Sequence, residues 1–279
     1  MPQAGVQPAP VRRALIVPRE HGAWGMLLVP LVTGVCAGLP AAQVWQPLLL
    51  FSAAALALFW LRTPLESALG ASPVRAQSAS ETNSLLAAIA VLGSVAMLCL
   101  VALLWHGANR GLLRIGGIAG LAFLLQALVK TLGRRARMPA QMMGALGLTS
   151  TAAGAYYVLT GRLDERALGL WLANWIFAGN QIHFVQLRLH AARAATWGEK
   201  LRRGRIFLAG QFGMIAALLA AWRLELLPAL ALIAFVPVLV RGLRWFAAGA
   251  QPLAVRRLGW SELAQAVTFG ALLVAAFVR

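Results

Sequence analysis

The sequence predicts an all-α polytopic membrane protein with about nine transmembrane helices, and its composition gives the first two reasons. Of the 279 residues, 60% are hydrophobic and 12% are charged, whereas soluble proteins carry about 25% charged residues. The mean hydropathy is +0.74, and apolar runs occupy nearly the whole chain. The third reason is that lysine and arginine residues alternate with the apolar runs in a way that fits one orientation.

The length of the apolar runs predicts the individual helices, since a helix that crosses a bilayer needs about 20 mostly apolar residues. The longest polar connections are residues 62–83 and 188–205. Residues 1–14 are predicted to form a disordered cytoplasmic tail, and residues 15–279 a single transmembrane helical domain. The nine predicted spans are 22–39, 44–61, 84–105, 112–131, 141–160, 167–187, 206–222, 225–241 and 259–278.

The basic residues predict how the spans are oriented. The chain carries 25 Lys and Arg against 8 Asp and Glu, but the basic residues lie between apolar runs. They therefore indicate membrane orientation and contacts with anionic lipid head groups, and no nucleic-acid partner is expected. With a cytoplasmic N-terminus, 19 of the 25 basic residues fall on the cytoplasmic side and 6 on the outside, which predicts an external C-terminus.

A polar arc at the end of the sixth predicted span is the main candidate site. Successive helical residues are 100° apart, so five polar side chains of the stretch NQIHFVQLRLHAAR fall within about 140° of the helix surface. Polar and ionisable groups in a membrane are costly and often functional, which predicts a ligand-binding cavity open to the cytoplasm. Gln181 and Arg188 lie on the opposite side. The five residues of the arc are Asn180, His183, Gln186, His190 and Arg193.

The arc has two interpretations that the sequence leaves open. His183 and His190 are candidates for acid–base catalysis if the protein is an enzyme, because the pKa of histidine lies near neutrality. Alternatively, the polar side chains form hydrogen bonds between helices. No cysteine or acidic residue has metal-ligand spacing with the two histidines, so neither a metal nor a cofactor is expected.

Other polar groups lie near the predicted cytoplasmic ends of the spans, and those before the first span and after the second are expected to face the arc across the cavity. Arg62 and Glu66 are four residues apart and can form an ion pair on one helix face. Glu262 and Gln265 lie at the start of the last span, where the helix dipole also stabilises an acidic side chain. The expected ligand-binding residues outside the arc are Arg19, Glu20 and His21 before the first span and Arg62 and Glu66 after the second.

Three stretches resemble the YwiC-like family of bacterial integral membrane proteins. They are PREHGAWGMLLVPLVTG at 18–34, WLRTPLE at 60–66 and RRLGWSELAQAVTF at 256–269, and the resemblance extends over essentially residues 15–279. It implies a location in the bacterial cytoplasmic (inner) membrane and does not bring an activity with it.

The architecture is also similar to that of the UbiA superfamily of intramembrane prenyltransferases, which implies a UbiA-like bundle. That superfamily holds magnesium with aspartate-rich motifs in the segments after its second and sixth helices. Here the corresponding segments contain no aspartate, and their acids are Glu66, Glu81 and Glu199. The single aspartate, Asp164, lies in a predicted outer loop. Magnesium-dependent diphosphate chemistry is therefore not expected.

Three functions remain open at this point. The first is binding of an amphipathic ligand with an anionic head, such as an isoprenoid, a quinone or a lipid intermediate, because arginine and histidine can hold an anion without a metal. Such a protein could act as a lipid-modifying or prenyltransferase-like enzyme without the aspartate–magnesium site. The second is a transporter or permease, and the third is a non-catalytic membrane partner of a respiratory or biosynthetic complex. The sequence does not determine the oligomeric state.

Overall fold

All regular elements in the described part of the chain are helical. The computed structural model describes residues 15–16, 21–42, 44–70, 76, 78–105, 107, 109–133, 136–249 and 253–278, without the side chains of His21 and Asn109. Seven described segments are long and apolar enough to cross a membrane. The chain is therefore an all-α polytopic membrane protein, as predicted. The helices are α1 His21–Gly38, α2 Gln46–Ala68, α3 Ala79–Trp105, α4 Asn109–Thr131, α5 Arg137–Thr149, α6 Thr151–Thr160, α7 Glu165–His190, α8 Trp197–Arg223, α9 Val236–Ala247 and α10 Val255–Val278.

The chain groups into two compact units. Unit 1 contains residues 1–21 and 45–109, and unit 2 contains residues 22–44 and 110–279. The predicted tail at residues 1–14 lies outside the described residues, and the single domain from 15 to 279 stays a prediction. The polar arc lies wholly within unit 2.

Unit 1 is built from α2 and α3, which pack against each other. The hydroxyl of Ser78 accepts a hydrogen bond from the backbone N–H of Glu81 at 3.2 Å, which satisfies one of the free donors at the start of α3. Both helices extend into the segment 62–83 that was predicted to be a polar connection. Hydropathy detects only the apolar middle of a helix, and the polar ends continue it.

The predicted span 141–160 consists of two helices that meet at Ser150. The hydroxyls of Thr149, Ser150 and Thr151 donate to backbone carbonyls three or four residues earlier, and such bonds compete with the helical ladder. Thr151 also donates to the carbonyl of Leu27 on α1 at 3.2 Å. The hydroxyl of Thr151 at this break therefore connects α6 to α1.

The helices around the arc begin earlier than hydropathy predicts. Asp164 caps α7 by accepting from the N–H of Ala167 at 3.1 Å. The predicted span 206–222 corresponds to α8, which starts nine residues earlier at Trp197. A capping box explains this start, because Thr196 and Glu199 each bind the other's backbone N–H.

The predicted span 225–241 is displaced toward the C-terminus. It begins as a 3₁₀ helix, Ala229–Phe235, and continues as α9 to Ala247. The buried ammonium group of Lys200 donates to the carbonyls of Trp245 at 2.9 Å and Gly249 at 3.1 Å, and so satisfies free acceptors at the end of α9. Because α9 continues for six residues beyond Arg241, that arginine lies inside the helix and not in a connection.

Aromatic packing fixes α7 and α10 against the 3₁₀ helix in unit 2. Phe177 stacks on Phe269 with ring centroids 4.0 Å apart, and Phe235 meets Phe269 edge-on at 5.1 Å. All three side chains are buried. Asn180 lies one turn after Phe177, and Glu262 lies two turns before Phe269, so both polar residues lie on the same side of this aromatic contact.

Candidate functional site

A buried ion pair between Arg241 of α9 and Glu262 of α10 is the centre of the polar structure in unit 2. Arg241 Nη1 donates to Glu262 Oε2, and the two side chains are only 11% and 12% exposed. The guanidinium carbon of Arg241 lies 4.0 Å from the centre of the Phe184 ring, a cation–π contact. Withdrawing two charges from water is expensive, so this pair needs either further bonds or a function to explain it.

Helix α7 contributes two amides to this pair. Asn180 Oδ1 accepts from Arg241 Nη2 at 3.1 Å, and Asn180 Nδ2 donates to the sulfur of Met214 on α8 at 3.4 Å. Gln181 Nε2 donates to the backbone carbonyl of Glu262 at 2.8 Å. Three helices, α7, α9 and α10, therefore meet at one hydrogen-bonded cluster, which Met214 links to α8. We call it the Arg241 cluster: Asn180, Gln181, Arg241 and Glu262.

Several buried polar atoms in and around the Arg241 cluster have no hydrogen-bond partner among the described residues. Two belong to the ion pair itself, namely Arg241 Nε and Glu262 Oε1. Gln265 Oε1 is on the next turn of α10, and Gln211 Oε1 would lie 3.5 Å from a methyl group at Gly242, next to Arg241. Buried polar groups almost always have partners, so each unpaired atom calls for an explanation.

The residues of the polar arc do not face one common cavity or helix. Asn180 joins the Arg241 cluster, whereas the ring of His183 packs edge-on against Phe207 of α8 with centroids 5.2 Å apart. Gln186 turns toward α5 and donates to Gln141 Oε1 at 3.1 Å. Whether the arc binds a ligand stays a prediction.

The end of the arc differs from the helical projection. Helix α7 ends at His190, whose Nδ1 lies 2.8 Å from the carbonyl of Gln186. Arg193 lies in the following turn and is exposed, so the projection that placed it on the arc was wrong. The helix stops three residues before Arg193, so the spacing of 100° per residue no longer applies there.

The polar residues predicted to face the arc are described only in part. Arg62 Nε and Glu66 Oε1 form an ion pair at 3.0 Å within α2 of unit 1, which confirms the predicted pairing. Arg19 and Glu20 lie outside the described residues. His21 begins α1, but its side chain is not described.

Sequence reasoning did not single out Arg241 and did not anticipate the contact of Gln181 with Glu262. Arg241 was counted as a cytoplasmic connection charge, although apolar residues continue on both sides of it in VPVLVRGLRWF. That continuity is the signal that could have identified a buried arginine. Gln181 was placed on the side away from the site, yet its long side chain reaches Glu262.

A cavity of about 360 Å³ lies elsewhere in unit 2, near the start of α7. Arg166 lines it, 14 residues before Asn180, which is about 21 Å along a helix. It is also lined by Trp222 in the last turn of α8, Glu225 in the turn that follows α8 and Phe277 in the last turn of α10. This cavity contains no residue of the polar arc. Among the described side chains there is also no group of three or more His, Cys, Asp or Glu that could hold a metal.

Comparison with known proteins gives one family. The model of a family described as YwiC-like protein matches residues 17–158, about half of the chain. No curated protein matches the chain, and no solved structure does. The matched region ends before α7, so it does not include the Arg241 cluster.

Proposed function

The chain belongs to the YwiC-like family, and we propose that this integral membrane protein binds an amphipathic ligand by its anionic head at Arg241. The single observation that carries the proposal is the incompletely bonded guanidinium of Arg241. It is buried between α7, α9 and α10, has one carboxylate and one amide as acceptors, and its Nε has no partner among the residues that the structure describes.

A purely structural arginine would be expected to have its donors satisfied. A guanidinium carries five N–H donors in a fixed plane that matches two oxygens of a phosphate, sulfonate or carboxylate. Arg241 also rests on Phe184, which holds the plane in position before any ligand arrives. An anionic head group is the ligand chemistry that this arrangement fits best.

The surroundings of Arg241 fit an apolar tail. Val240 and Leu243 on α9 and Leu263 on α10 are exposed apolar side chains, on other faces of the helices that carry Arg241 and Glu262. In a membrane these side chains face lipid chains. A ligand with an acyl or isoprenoid tail can therefore lie along α9 and α10 with its head at Arg241, which supports a lipid, isoprenoid or quinone-type ligand over a water-soluble one.

The binding test uses decane sulfonate below its micellar concentration, because its head keeps a fixed negative charge. Arg241→Lys retains the positive charge beside Glu262 but loses the planar fork. A hydrogen bond to a charged group contributes about 1.5–3 kcal/mol, so calorimetry on the purified protein should show binding weakened roughly 10- to 100-fold. Arg244→Lys, an exposed position on the same helix, should bind like the wild type. Equal affinity of Arg241→Lys and the wild type would refute the proposal.

The proposed orientation places the Arg241 cluster near the cytoplasmic side of the bacterial inner membrane. Arg241 lies six residues, or about 9 Å, before the end of α9. The 19-to-6 distribution of basic residues predicts a cytoplasmic N-terminus and an external C-terminus. A periplasm-active reporter fused after Arg279 should therefore be active, and a cytoplasm-active reporter fused there should be silent. The reverse pattern would show that either the cytoplasmic N-terminus or the odd number of spans is wrong.

A further inference from the structure

Two buried acceptor oxygens on α10 have no donor among the described residues. Glu262 Oε1 and Gln265 Oε1 are both buried and unpartnered. The two residues are three apart, which places their side chains on the same face of the helix. Protonation of Glu262 would give both oxygens a hydrogen bond, because a carboxylic acid O–H at Glu262 Oε1 can donate to Gln265 Oε1.

The charges around Glu262 are few. On α9, Arg241 faces Glu262 and is the charged side chain that interacts with it electrostatically. From α7 it faces the uncharged Asn180 and Gln181, and the 3₁₀ helix Ala229–Phe235 contains no ionisable side chain. On α10 itself, Arg256 and Arg257 are exposed in the first turn. His183 packs on α8 against Phe207 instead.

The charge of the Arg241 cluster limits what it can accept. One guanidinium and one carboxylate make it neutral as it stands. An anionic head group at Arg241 would add a negative charge to a site that is almost closed to water, and an uncompensated buried charge is strongly unfavourable. Neutrality returns if Glu262 becomes uncharged, and no other acid reaches the cluster among the described residues.

From these contacts we propose that Glu262 takes up one proton from the aqueous phase when an anion binds Arg241, so that ligand binding is coupled to proton uptake. This inference rests on the proposed function. The Glu262 carboxylate gains the proton and becomes a carboxylic acid that donates to Gln265 Oε1. Its ion pair with Arg241 is replaced by the ion pair between Arg241 and the ligand, and the cluster stays neutral throughout.

The experiment measures protons and binding together. Decane sulfonate is titrated into the purified full chain by calorimetry in buffers with different heats of ionisation, which gives the number of protons taken up per molecule bound. About one proton is expected, and affinity should increase about tenfold for each unit of pH decrease while Glu262 is ionised before binding. The sign follows because the bound state holds more protons than the free state.

Two variants separate the possible causes. Glu262→Gln is already neutral, so it should bind the probe with no proton uptake and with an affinity that does not depend on pH. Glu165→Gln, an exposed acid in the first turn of α7, should keep the full proton uptake. Wild-type binding without proton uptake would overturn this inference and leave the proposed function intact. Absence of probe binding by the wild type would overturn both.

Discussion

Replacing Arg241 with alanine is expected to lower the free energy of unfolding by about 3–5 kcal/mol, because it leaves Glu262 buried without its cationic partner. The side chain of Glu262 is only 12% exposed, so water cannot replace the guanidinium. Asn180 Oδ1 loses its donor in the same step. Unfolding of the purified protein in mixed micelles, followed by circular dichroism, measures the change.

Two comparisons show that the loss comes from the unpaired charge. Arg244→Ala removes an exposed arginine of the same helix and should change stability by no more than about 0.5 kcal/mol. The double variant Arg241→Met with Glu262→Leu removes both charges and should recover most of the stability, since well-packed apolar residues can replace a buried ion pair without loss. Equal effects of Arg241→Ala and Arg244→Ala would show that the ion pair is not buried in the membrane.

Recovery in the double variant would also bear on function. A pair that apolar residues can replace without loss is not needed for stability. The same double variant should lose all binding of decane sulfonate, because the anion partner is gone. A stable protein that no longer binds is the result that separates a ligand site from a structural contact.

The helical fold could be predicted because the bilayer imposes a length on apolar runs. Positions of helix ends could not be predicted in the same way, because polar residues outside the apolar run determine them. Thr196 and Glu199 start α8 with a capping box, and Lys200 satisfies the carbonyls at the end of α9. Neither contact changes hydropathy, so both helix ends lie several residues from their predicted positions.

The site was harder to predict than the fold for a geometric reason. Helical projection tells which residues share a face, but not which neighbouring helix that face meets. His183 and Gln186 share the predicted arc, yet one contacts α8 and the other α5. Asn180 and Gln181 point in different directions, yet both reach the ion pair from α7. The side chain of Arg241 on α9 meets Asn180, and the backbone carbonyl of Glu262 on α10 meets Gln181. The sequence of α7 carries no information about those partners.

A second large effect is expected from Gly169→Ala on α7. A methyl group at Gly169 would lie 1.8 Å from the carbonyl oxygen of Leu226, in the turn between α8 and the 3₁₀ helix. The obstacle is backbone, so no side-chain rotation can relieve it. The turn is itself held in place, because the backbone N–H groups of Leu226 and Leu227 donate to the carbonyl of Ala221 at 3.0 Å and 3.3 Å.

The expected loss of stability in Gly169→Ala is about 3 kcal/mol, the upper part of the usual range for overpacking. Gly213→Ala on α8 is the matched control, because a methyl group there meets nothing within 4 Å. Alanine favours a helix over glycine by about 1 kcal/mol, so the control should be as stable as the wild type or slightly more so. The same unfolding measurement applies to both variants. If they are equally stable, the turn after α8 does not pack on α7 as described, and the positions of α7 and α8 around the Arg241 cluster would have to be revised with it.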